Sequence, residues 1–96
     1  MSDNVLERAI ATYGVKNQIL KCIEEMSELT KALLKLQCAK KPYEVQILED
    51  AVNEEMADVE IMLEQMKMIF DNREEVELQK NKKLERLERR LRDEGN

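Results

Sequence analysis

VKNQILKCIEEMSELTKALLKLQ, residues 15 to 37, decides the fold. Ile19, Cys22, Ile23, Met26, Leu29, Leu33 and Leu36 recur at intervals of three and four, the period of one helix face. No proline or glycine interrupts them, so the spacing predicts a helix from about Val15 to Gln37. On its amino-terminal side Gly14 punctuates a shorter helix, capped by Ser2 or Asp3 and running through about Tyr13. On the other side AKKP breaks the chain, since Pro42 cannot continue a helix but is tolerated in the first turn of the next. That third helix, YEVQILEDAVNEEMADVEIMLEQMKMIF, carries a stripe of Leu48, Val52, Val59, Met62, Leu63, Met66 and Phe70. The pattern stops at Asp71 and Asn72, either of which suits the cap of a fourth helix. NREEVELQKNKKLERLERRLRDEGN has a thinner stripe of Val76, Leu84, Leu87 and Leu91, with Leu78 on roughly the opposite side. It is acidic at the start and mostly basic later, the order that suits a helix dipole. The expected architecture is an all-α bundle with an antiparallel hairpin of the second and third helices, residues 1 to 96 forming one domain.

Composition agrees with that class. Apolar residues make up 43% of the 96 and charged residues 39%, with two glycines and one proline, the profile of packed helices rather than a sheet or a disordered tail. A chain this short encloses only a thin core, which association into a homo-oligomer would enlarge. The net charge of −5 argues against polymeric nucleic acid as the main partner. Cys22 and Cys38 match neither a disulfide framework nor a zinc site, and with no histidine in the chain they are expected as reduced thiols in or near a helix core. No basic and then apolar leader opens the sequence, and no apolar run approaches the ~20 residues that span a bilayer. No membrane partner and a cytoplasmic location are expected.

Two stretches, EEMSE at 24 to 28 and EEMAD at 54 to 58, set acids beside the apolar stripes. A helix turns about 100° per residue, so Glu25 and Glu28 share a side, as do Glu55 and Asp58. Glu55 falls inside the apolar arc of the third helix, between the directions of Leu48 and Met62, with Asp58 at its border. Glu25 lies at the edge of the arc of the second helix and Glu28 further out. An ionised carboxylate placed there needs a proton, a basic partner or a metal. If the two helices are neighbours, both acid pairs can point into one negative pocket, which a divalent cation would neutralise. All-oxygen ligation favours Mg²⁺ or Mn²⁺ over zinc. Taken singly, an ExxE or ExxD spacing is common on solvated helix faces.

The acids also carry a resemblance. Glu24, Glu25 and Glu28, then Glu55 and Asp58 after a spacer, match the EExxE…ExxD signature of the all-α nucleoside triphosphate pyrophosphohydrolases. This MazG-like superfamily includes dimeric dUTPases and phosphoribosyl-ATP pyrophosphohydrolase. NQILKCIEEMSELTKAL, EEMADVEIMLEQMKMIF and KLERLERRL resemble its short phage and bacterial single-domain members, covering about residues 13 to 91. The resemblance implies Mg²⁺, or Mn²⁺, on Glu25, Glu28, Glu55 and Asp58, with Glu24 an additional acid that helps hold a second metal or orients water. It implies hydrolysis of a nucleoside triphosphate between the α and β phosphates, giving the monophosphate and pyrophosphate. Lys83 and Arg86 match the KxxR of the ending and are expected to contact phosphate. The fourth-helix wheel agrees on Lys83, puts Arg86 outside the arc, and places Lys80 inside it without support from the resemblance. Gln18, two turns before Glu25, matches a glutamine expected to meet base or sugar. Many larger relatives carry base-stacking aromatics near the start, where this chain offers only Tyr13, besides Tyr43. Assembly into a homodimer or homotetramer is implied as well. The alternatives are a non-catalytic helical oligomeric interaction protein, which has no reason to place Glu55 in its stripe, and phosphoribosyl-ATP hydrolysis within the superfamily.

Overall fold

The computed structural model describes residues 2–95, and side chains from residue 5 onward. Among these residues there are four α-helices and no strand: α1 (Ser2–Tyr13), α2 (Val15–Gln37), α3 (Pro42–Phe70) and α4 (Arg73–Gly95). The expected caps of α1, Ser2 and Asp3, have side chains outside the described residues. None of the helices is long and apolar enough to cross a membrane.

Each break has a local cause. Gly14 adopts φ 92°, a conformation that strains any residue with a Cβ. Its N–H donates to the Ile10 carbonyl at 2.9 Å and its own carbonyl accepts from Gln18 N–H at 3.0 Å, so the turn joins α1 to α2 with no gap in hydrogen bonding. Lys41 is extended, φ −122° and ψ 144°, as the residue before a proline must be, and Pro42 opens α3. Asp71 ends α3 in the left-handed region, φ 48° and ψ 50°. Asn72 starts α4 through its backbone, its carbonyl accepting from Val76 N–H at 2.9 Å, whereas its Oδ1 is buried with no partner.

The centre of the molecule is the pairing of α2 with α3. Gln18, Cys22, Glu25, Leu29, Ala32 and Leu36 on α2, and Leu48, Val52, Glu55, Val59, Met62 and Met66 on α3, alternate at spacings of four and three and are all buried or half-buried. That is the spacing of a narrow two-helix seam. Near one end of it Gln18 Nε2 donates to Gln65 Oε1 at 2.7 Å, both residues buried. Gln65→Leu is therefore expected to leave the Gln18 amide buried without its acceptor and to cost about 1–3 kcal/mol in urea denaturation. Adding Gln18→Leu should recover most of that loss, because two apolar groups then replace the pair.

The stripe expected on α2 is only partly covered. Ile23, Met26 and Leu33 are 51%, 42% and 43% exposed, while Gln18 and Ala32 take buried seam positions. A single neighbouring helix covers one heptad stripe, and α2 has two side by side. Leu63 and Phe70 of α3 are left open for the same reason. Of the two free thiols only Cys22 is in the core, where burial pushes it up; Cys38 is exposed just past the end of α2. α1 lies against α3, its Leu6 and Ile10 lining hollows shared with Ile61 and with Met68.

α4 meets the rest of the described chain at its start. Arg73 Nη2 meets Glu64 Oε1 at 3.0 Å, and Val76 shares a hollow with Leu63 and Met66. From Glu77 to Gly95 every residue is exposed, the whole stripe of Leu84, Leu87 and Leu91 included. Leucine, lysine, arginine and glutamate keep this arm helical on propensity, helped by the Lys80 to Glu77 pair at 3.2 Å and acids in its first turn.

Candidate functional site

The acids meet halfway along the seam. Glu25, Glu55 and Asp58 each offer a carboxylate oxygen, and the three oxygens lie within 4.8 Å of one another. Glu55 and Asp58 are one helical turn apart and share a side of α3. Glu25 faces them because it occupies a seam position on α2. Its side chain is only 12% exposed, Glu55 is half-buried and Asp58 is exposed.

The charges are not balanced within this group. Lys21 Nζ lies 3.2 Å from Glu25 Oε1 and 3.8 Å from Glu24 Oε1. The hydrogen bond to Glu25, then the charges of Glu24 and its neighbours down to Asp58, hold the Lys21 ammonium above its ordinary range. Glu55 receives no such help. Among the described residues its buried Oε2 has no hydrogen-bond partner. Burial first, and then the charges of Asp58, Glu25, Glu28 and Glu54, push its carboxyl above the usual carboxylate range.

Three of the four expected ligands therefore converge, and Glu28 stands apart. It is bound to Lys31 at 3.3 Å with its side chain 45% exposed, close enough to act on Glu55 through its charge but outside the group of three. Glu24 is exposed beside Lys21. Gln18 is buried at the seam with its amide on Gln65. Lys83 and Arg86 stand on the exposed length of α4, and neither joins an ion pair among the described residues.

No family model, curated protein or solved structure matches this chain. Its chemistry is read from its own residues.

Two of those residues escaped the sequence reading. Lys21 sits four positions before Glu25, the spacing of a helix ion pair, and that was the available signal. Gln65 gave none, because its role depends on a glutamine 47 positions away. Together the site offers hard oxygen donors from two helices, one lysine, and a buried oxygen lacking any donor. A carboxylate in that position takes up a proton or a hard cation. The donor set fits Mg²⁺ or Mn²⁺: it is all oxygen, and the unpartnered Glu55 Oε2 supplies the lone pairs that a cation requires.

Proposed function

We propose that the chain is a Mg²⁺-dependent nucleotide pyrophosphohydrolase of the MazG-like kind, hydrolysing nucleoside triphosphates to monophosphate and pyrophosphate. One observation carries this reading: Glu55, inside the helix pairing, has an oxygen with neither solvent nor a donor, facing two more carboxylates. A scaffold gains nothing from that arrangement, whereas a divalent cation relieves it.

Glu25, Glu55 and Asp58 would hold the cation, with Glu28 able to join them by releasing Lys31. When bound, divalent cations offset the charge that develops in phosphoryl transfer and acidify water. Glu24 adds a carboxylate that can orient the attacking water, and Lys21, already within reach of both Glu24 and Glu25, balances the acids. Lys83 and Arg86 are the proposed phosphate contacts; they lie on an arm that packs on nothing among the described residues, so their task belongs to the assembled form. That form is an antiparallel α2–α3 hairpin whose thin core is completed by oligomerisation. The pairings of Gln18 with Gln65, and of Glu25 with Glu55 and Asp58, support the antiparallel sense. The proposed compartment is the cytoplasm, which keeps thiols such as Cys22 and Cys38 reduced.

The test is a panel of canonical and modified ribo- and deoxyribonucleoside triphosphates incubated with purified protein and Mg²⁺. Equal amounts of monophosphate and pyrophosphate, lost on chelation, are the expected result. Release of single phosphate, or no turnover by folded protein, would overturn it.

A further inference from the structure

The resemblance leaves Glu24 two tasks, holding a second metal or orienting water, and the charges beside it decide between them. An ammonium already lies between the two carboxylates that such a metal would bridge. Lys21 Nζ is 3.2 Å from Glu25 Oε1 and 3.8 Å from Glu24 Oε1, and the charge of Asp58 on α3 also acts on it. Lys31, the next cation along α2, is held by Glu28 instead.

Helix geometry brings Lys21 there. It stands three residues before Glu24 and four before Glu25, so one side chain reaches both acids along a single side of α2. The two contacts differ in weight. The Glu24 side chain is 63% exposed, where solvent and salt leave an ion pair little strength, whereas that of Glu25 is 12% exposed and its pair with Lys21 is better shielded. A divalent cation bridging Glu24 and Glu25 would have to break the shielded contact.

The sum of charges points the same way. With all four ionised, Glu24, Glu25, Glu55 and Asp58 carry −4, and Lys21 brings the group to −3. One divalent cation on Glu25, Glu55 and Asp58 leaves −1. A second, with Lys21 still in place, would leave +1, and both the first ion and the ammonium would repel it.

We propose that Lys21 stands in for a second divalent cation: its ammonium, held between Glu24 and Glu25, confines the chain to one such ion, on Glu25, Glu55 and Asp58. This role rests on the cation of the hydrolase reading, yet its measurement is separate, since pyrophosphate release judges that reading and ion counts judge this one. The probe is Mn²⁺ alone, titrated into the full chain without nucleotide and followed by the paramagnetic resonance signal of the free ion. Lys21→Met should bind one more Mn²⁺ per chain than the wild type, and its first ion on the order of tenfold more tightly, because a like charge beside it has gone. Adding Glu24→Gln should remove the extra ion. Lys21→Arg keeps the charge and should count as the wild type does, an outcome that a merely structural role for the side chain would not produce. The helical signal should be the same in all of them, methionine, arginine and glutamine being helix formers as good as the residues they replace. Equal counts and affinities in the wild type and Lys21→Met overturn the proposal, as does an extra ion that survives Glu24→Gln. So does a Lys21→Arg chain that binds like Lys21→Met, or a set of folded chains none of which binds Mn²⁺.

Discussion

Glu55→Gln is expected to cut Mg²⁺-dependent pyrophosphate release at least ~100-fold while raising the thermal midpoint of the cation-free protein by a few degrees. The two effects have one cause. In the absence of a cation, ionised Glu55 is buried against Asp58 and Glu25, and its Oε2 has no donor. Glutamine keeps the shape, removes one of the like charges and brings N–H groups that its acidic neighbours can accept. What stabilises the cation-free fold therefore removes the ligand that the reaction needs. Glu54→Gln is the control: Glu54 is exposed one position away and offers no oxygen to the group of three, acting on Glu55 only through its charge, so turnover should stay near the wild-type level. Full activity in Glu55→Gln would move the cation off this group of acids. A lowered midpoint would mean that the charge of Glu55 is already satisfied in the folded chain.

The limits of α2 and α3 were legible because their punctuation is strong: Gly14 at φ 92° and Pro42 after an extended Lys41 allow little else. The wheel also put Glu55 and Asp58 in their observed order of burial. Burial of the large residues was harder to read. A stripe in sequence is as wide as all the neighbours that a helix will ever have, and the single chain supplies α2 with α3 alone along most of its length, so Ile23, Met26 and Leu33 stay open. The seam positions of Gln18 and Ala32 carried no hydrophobic signal; one needs a distant amide and the other is merely small. For α4, propensity sufficed to predict a helix, and nothing in it says that Val76 packs while Leu84 does not. The helix wheel already set Glu28 further out than Glu25, but it gave no sign that Lys31 would pair with Glu28 and Lys21 with Glu25. Short-range ion pairs of this sort redistribute a motif without altering its spacing.

The same site predicts how stability responds to pH. The Glu55 carboxyl titrates above its unfolded value, so between those two values the folded state binds more protons than the unfolded one. Stability from this group is complete below the ordinary carboxylate range and is lost as pH rises through the raised value. Glu64 works in the opposite sense. Arg73 and Lys67 hold it below its ordinary value, so its contribution is present above that value and disappears only in acid. Lys21, raised by Glu25, loses its contribution only in alkali. Between the acid and alkaline limbs, the cation-free chain should thus lose stability as pH climbs. A bound cation reverses the sign, because it competes with the proton on Glu55 and binds more tightly as that carboxyl ionises. At ~100 times its dissociation constant it adds about 2.7 kcal/mol, which for a chain of this length is on the order of ten degrees. Thermal melts with and without MgCl₂ or MnCl₂ across the acid-to-neutral range should show a gap that widens with pH, and Glu55→Gln should remove most of it. A gap of equal size at every pH, surviving that substitution, would put the cation on exposed acids such as Glu49 and Asp50, where no buried carboxylate has to lose a proton first.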